Sequence, residues 1–145
     1  MERVQLVEST GEVMRAHAIG TFPNECCGFF FGEIQDGNRN VIEVRPVSNT
    51  KDGDQRRRFS ISPMDYLQAE KYALEKGLVL LGVYHSHPLH PAIPSVHDLK
   101  QAVPFFSYII LSVYDDEVTT IRSWQLDEQS QFQEEEIHEH QPIKH

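Results

Sequence analysis

Long apolar runs, cysteines and basic residues are all scarce in this chain, and each scarcity excludes something. No stretch approaches the roughly 18 apolar residues that a membrane helix needs, and no signal-peptide pattern opens the sequence, so a soluble cytoplasmic protein without a membrane partner is expected. Two cysteines, adjacent at Cys26 and Cys27, cannot form a secreted disulfide framework and fit a reducing compartment. With 13 Lys+Arg against 22 Asp+Glu and a net charge of -9, the chain carries no electrostatic footprint for nucleic acid. Its acidic clusters are compatible with a salt-adapted surface or an ordinary acidic one. No repeat or linker divides the 145 residues, which suffice for one domain with a real core.

Against this background one segment is rich in chemistry. His85-Ser86-His87 is followed by Ser95 and Asp98, giving H-S-H-x7-S-x2-D at the end of the apolar run Leu78 to Tyr84. A short apolar run after Gly77 reads as a buried strand, and its period of two puts His85 and His87 on one face with Ser86 pointing away. Three prolines make Pro88 to Pro94 a stiff loop, and Ser95-Val96-His97-Asp98 has the form of a capped helix start, which turns Asp98 back toward the strand end. Two imidazoles and a carboxylate leave one position open on a tetrahedral zinc, the pattern of a catalytic site. The same ligand types also serve non-haem iron oxygenases, although there they stand widely separated in a double-stranded β-barrel.

The motif H-S-H-P-x2-P-A-x-P-S-x2-D resembles the signature of the JAMM (MPN-plus) metallopeptidases, small bacterial branch. The likeness extends to Phe22 through Gly32, to Arg58-Phe59-Ser60-Ile61-Ser62-Pro63 and to Tyr108 through Ser112, covering about residues 1 to 126. It implies a mixed α/β domain of cytidine-deaminase-like type with a central mixed sheet flanked by helices. It further implies one zinc ion on His85, His87 and Asp98, with Glu25 as general acid/base. The implied substrate is a ubiquitin-like or sulfur-carrier protein cut after its C-terminal Gly-Gly, with an extended tail pairing along a strand edge. A non-catalytic scaffold of the same fold is the other possibility, although such relatives have usually lost ligands that are present here.

The remaining residues carry narrower expectations. Ser95 can cap the helix with its oxygen and still donate its hydrogen to a developing oxyanion. Ser86 either bonds to nearby backbone or contributes directly to catalysis. Cys26 and Cys27 read as small apolar strand residues, with a thiolate fourth ligand or redox switch as the alternative. His90 and His97 read as surface or flanking groups. Arg56-Arg57-Arg58, the only basic run, is either a solvated loop or a surface meeting an acidic partner near the substrate channel.

Secondary structure is expected as follows. A strand at 4–6 precedes a helix from 9 to 19 with Val13, Met14 and Ile19 inward, a hairpin at 27–34 and 41–47, and a polar loop at 48–57. A helix from Pro63 to Lys76 is capped by Ser62 and ended by Gly77. After the metal motif come a helix reaching about Val103 and a hairpin at 108–114 and 118–126. This makes a sheet of six or so strands. From Asp127 onward apolar periodicity fades, and 127–145 reads as an acidic, His-containing, disordered tail.

Overall fold

In a computed structural model that describes residues 3–7 and 9–139, seven strands close into a barrel in the order β1-β3-β2-β4-β5-β6-β7. The strands are β1 (Arg3–Leu6), β2 (Cys27–Gln35), β3 (Asn38–Val47), β4 (Val79–Pro88), β5 (Ser107–Tyr114), β6 (Glu117–Leu126) and β7 (Phe132–Glu139). Helix α1 (Thr10–Thr21) lies between β1 and β2, α2 (Pro63–Lys76) between β3 and β4, and α3 (Val96–Gln101) between β4 and β5. β4 runs parallel to β5 and β1 parallel to both β3 and β7, while the other pairings are antiparallel. The mixed α/β class expected from the sequence is therefore found, with the sheet closed rather than open.

β2 and β4 form the middle of the sheet and are buried on both faces, which is why they read as continuous apolar runs rather than alternating ones. On one face Phe30, Leu81, Tyr84 and Cys26 pack with Met14 and Ala18 of α1 and with Val4, Val41, Ile109 and Leu111. On the other, Phe29, Phe31, Leu80 and Val83 pack with Ala69 and Ala73 of α2 and with Phe59 and Ile61. Leu80 and Val83 share a face although they are three residues apart, because the register between β2 and β4 shifts at Phe30/Phe31 and leaves Leu81 as an extra residue. This β-bulge inverts the alternation of β4 and carries His85 and His87 to the α2 side. At Gly82 there is no room for a side chain, since a Cβ would run into the Ser107 carbonyl of the parallel neighbour β5.

α2 has the predicted bounds: the Ser62 side chain accepts from Asp65 N–H, Pro63 occupies the first turn, and Gly77 ends the helix at φ 66°. α1 differs in its facing. Met14 and Ala18 are buried with Thr10 and Gly11, whereas Val13 and Ile19 are 39% and 37% exposed, so the apolar stripe expected through Val13 and Ile19 is not the one that meets the sheet. Strand β4 also runs further than expected, through Pro88, which still pairs with Val113 at the β5 side.

The larger correction concerns the region after Asp127. It is a turn followed by β7, which pairs with both β6 and β1 and closes the barrel; residues 140–145 lie outside the described part. Its composition hid it, because Phe132 and Ile137 are the only apolar side chains and stand an odd number of residues apart. Its acids are matched by partners on neighbouring elements: Glu134 with Arg122 at 2.6 Å, Glu136 with Arg3 at 3.1 Å, and Glu139 with Arg15 at 2.5 Å. Exposed pairs of this kind contribute little each, so the ladder and the covered edge hold the strand. Each described strand has two neighbours, but β1 pairs only with Asn38 to Val41 of β3, so the stretch of β3 from Ile42 to Val47 has a strand partner on one side alone.

Candidate metal centre

His85 and His87 leave β4 on the same face, and their Nε2 atoms lie 3.2 Å apart. Asp98, in the first turn of α3, places Oδ1 3.3 Å from His85 Nε2 and Oδ2 3.1 Å from His87 Nε2. Donors held at about 2.0–2.1 Å around a tetrahedral ion stand about 3.3–3.4 Å from one another. Each imidazole thus meets its own Asp98 oxygen at about that spacing, and the donor chemistry fits a divalent ion that accepts imidazole and carboxylate together. Glu25 reaches the same place from the loop ahead of β2: one atom each of Glu25, His85 and His87 lie within 4.8 Å of one another, and all three residues are buried.

Neighbouring groups fix each of these side chains. His87 Nδ1 donates to the Pro91 carbonyl at 2.9 Å, which leaves the lone pair on the inward-facing Nε2. The His85 ring is stacked on buried Phe59 at 4.5 Å between centroids. Ser95 and Asp98 form a capping box: Asp98 N–H donates to Ser95 Oγ at 3.1 Å, and Ser95 N–H donates to Asp98 Oδ2 at 2.8 Å. Helix start and carboxylate orientation are thus one piece of geometry, and Ser95 lines the mouth of the site while serving as its cap.

The backbone of Glu25 is held from both sides by the loop after β3. Its N–H donates to the Gln55 carbonyl at 2.7 Å, and its carbonyl accepts from Asn49 Nδ2 at 3.2 Å. Asn49 also accepts from Lys51 N–H and Ser60 N–H through Oδ1, which makes it the organising residue of the loop. Nothing in the local sequence marks Asn49 or Gln55 for this role, and Phe59 and Pro91 stand in motif segments without declaring theirs. Ser86, on the opposite face of β4 from the histidines, is fully buried and bonded to Cys26. This places it in the bonding role foreseen for it, at the residue next to Glu25.

Electrostatics follow from burial and neighbours. Desolvation pushes the Glu25 carboxyl up to about 8, against the opposing pull of His87, and its Oε1 has no hydrogen-bond partner among the described residues. Burial also penalises charge on Asp98, but His85, His87 and the Ser95 N–H outweigh it and hold the carboxyl well below the usual range. Burial lowers His85. For His87 the same burial is overcome by the hydrogen bond and charge of Asp98, and the imidazole is raised. An orphaned carboxylate oxygen beside two inward imidazole nitrogens is a set of acceptors facing one point, as a cation requires.

The other candidates separate cleanly. Cys26 and Cys27 are buried, and burial pushes their thiols up to about 11 and about 12, so neither is a thiolate near neutrality. His90 and His97 line the cleft of about 450 Å³ at the mouth of the site, together with Glu25, Ser95 and Ile93.

Such a site, at the end of a central strand and facing an open cleft, has the form of a hydrolase centre, and comparison with known proteins agrees in kind. Residues 8–127 match the family model described as prokaryotic homologs of the JAB domain, and the chain belongs to that family, the prokaryotic JAMM-type proteins. A probable TtuB-protein conjugate cleaving protease of Thermus thermophilus is 35% identical over 99 residues, 68% of this chain and 63% of that protein, so the match spans less than two thirds of the relative. A desampylase of Pyrococcus furiosus is 31% identical over 113 residues, 78% of this chain and 74% of that one. A solution structure of a protein from Desulfitobacterium hafniense superposes with a TM-score of 0.84 at 33% identity, covering 97% of this chain and 95% of that one. Among the described residues no helix is long and apolar enough to cross a membrane.

Proposed function

We propose that this chain is a zinc-dependent cytoplasmic peptidase that hydrolyses the peptide or isopeptide bond after the C-terminal Gly-Gly of a ubiquitin-like or sulfur-carrier protein. The observation that carries the reading is the buried Glu25 carboxylate, with one oxygen unpartnered, converging on the paired donors of His85 and His87. His85, His87 and Asp98 would hold the ion, which when bound supplies a Lewis acid for the scissile carbonyl and brings water to a pKa of about 7. The names of the relatives, a conjugate-cleaving protease and a desampylase, support the substrate class.

The remaining chemistry belongs to the protein. Glu25, whose carboxylate converges on the same point as the two imidazoles, accepts a proton from the attacking water and returns it to the leaving nitrogen. Ser95 uses its oxygen to accept from Asp98 N–H, so its hydroxyl hydrogen is free to point at the scissile oxygen. Phe59 holds the plane of the His85 ring by stacking, and the Pro91 carbonyl holds His87 in one tautomer. The test is a mass-spectrometric cleavage assay on a Gly-Gly-terminated carrier extended by one residue, with zinc-loaded wild type and Glu25→Gln side by side. Cleavage after the second glycine by wild type alone is the expected result; an intact substrate with zinc bound overturns the reading.

A further inference from the structure

The basic run Arg56-Arg57-Arg58 has no part in the chemistry above, yet the fold brings two of its members to the edge of the site. Arg57 lines the mouth with Glu25, His87 and Ser95. Arg58 lines an adjoining cleft of about 290 Å³ with Lys51 and Lys100, floored by Phe59 and Gln101. The two clefts adjoin at His97, which lines both, so the second lies next to the mouth of the site. Lys51 and Arg58 come from the loop after β3 and Lys100 from α3, so the cationic walls belong to separate elements that the fold brings together.

Charge makes this second cleft unlike the rest of the molecule. The chain carries -9 overall, yet among the described residues no Asp or Glu lines the second cleft. The acidic groups nearest in the loop are Asp52 and Asp54, and Asp54 pairs loosely with Arg57 at 3.7 Å. On the other side of the same loop lies a larger cleft of about 870 Å³, lined by Arg45 as its one Lys or Arg and by Asp65 and Glu25. The cleft that adjoins the mouth at His97 thus sets a cationic wall beside the site that His87 lines.

We infer that the cleft formed by Lys51, Arg58 and Lys100, entered past Arg57 and His97, binds an acidic segment of the protein substrate on the acyl side of the scissile bond. The inference rests on the peptidase reading for its direction. Where the leaving group is a single residue it ends within the mouth, whereas the polypeptide ahead of Gly-Gly is present in every such substrate, peptide or isopeptide, and must cross the protein surface. Acidic side chains on that stretch would meet cations from two walls while the glycines lie at the ligands. Charges at such a rim act on encounter and on choice of partner more than on the chemical step.

The experiment uses Glu25→Gln protein, which holds substrate uncut, and fluorescein-labelled peptides with four acidic residues, or the corresponding amides, ahead of Gly-Gly-Cys. Fluorescence anisotropy is expected to show tighter binding of the acidic peptide, weakening as salt rises. The R58E/K100E pair should lower its affinity about three- to tenfold while leaving the amide peptide unchanged, and R58K/K100R should restore it. Equal affinity for the two peptides, or an R58E/K100E protein that binds the acidic peptide as wild type does, overturns the inference. So does an oligonucleotide of the same charge that binds as tightly. A charge-dependent difference that persists while the wild-type enzyme leaves carrier and peptide uncut keeps the surface and removes the peptidase reading, so the two fail separately.

Discussion

Ser86 and Cys26 are bonded to each other twice in opposite senses: Cys26 N–H donates to Ser86 Oγ at 2.8 Å, and Ser86 N–H donates to the Cys26 carbonyl at 3.2 Å. The residue between the two histidines is thereby locked to the residue after Glu25. The spacing between the carboxylate and the imidazoles depends on this joint, which lies on the reverse side of the strand from the reacting groups.

Replacing Ser86 with Ala should therefore leave the Cys26 N–H buried without an acceptor and cost about 1–3 kcal/mol of stability. Activity should fall through kcat, with zinc content per chain unchanged. Thermal melts and metal analysis on one preparation would check both, and unchanged kcat would remove the positioning role.

Asn49→Ala cuts the bond that holds the Glu25 carbonyl and three bonds inside the loop. A fall in kcat of about tenfold or more is expected, since small displacements of a reacting group are costly. Asn49→Asp, which keeps Oδ1 but lacks the amide donor, should restore the bonds from Lys51 and Ser60 N–H but not those to the Glu25 and Arg58 carbonyls, and so not full turnover. A comparison of kcat for the two variants decides it.

Glu25 governs how the metal-free protein responds to pH. Its folded value of about 8 is above the ordinary value of 4.5, so the folded state binds the extra proton between them. The associated stability is fully present below about 4.5 and is lost as pH rises through about 8. Metal-free Glu25→Gln should thus be more stable than wild type at pH 8.5, on the order of 2–5 kcal/mol, with the gap closing toward acid. Urea titrations across pH with chelator present would show it, and a gap that widened toward acid would contradict the assignment.

Asp98 behaves in the opposite sense. Its carboxyl is held below the usual range, so its contribution is present above its unfolded value and lost as pH falls through the folded one. Asp98→Asn should flatten the acid limb of the stability curve. It should also weaken zinc binding by more than the 10–100-fold that loss of an outer partner costs. Competition with a chromogenic chelator measures the second effect.

Sequence pattern revealed the elements whose signals are local. Ser62, Pro63 and Gly77 bracket α2 because cap, first-turn and stop chemistry act within a few residues, and the spacing of His85, His87, Ser95 and Asp98 is local for the same reason. What stayed hidden depends on distant partners. Asn49 and Gln55 act on Glu25 across a loop. β7 is held by its ladders to β6 and β1, with its acids facing arginines on α1, β1 and β6, which its own composition cannot announce. The inward face of α1 is chosen by the sheet rather than by its most apolar residues, so Val13 and Ile19 misled.

The extra residue at Leu81 makes the site a matter of counting as well as of chemistry. Every ligand could be kept and every apolar neighbour exchanged for another, and β4 would still present its imidazoles to Glu25. Removing one residue between Leu80 and Gly82 would keep the composition almost intact, yet it would turn Tyr84 and Ser86 toward the mouth and bury both imidazoles against Met14 and Ile109. A chain so shortened would still display the full motif on paper while having lost the means to hold an ion, so in this fold parity along a strand is as much a determinant of activity as the identity of any single side chain.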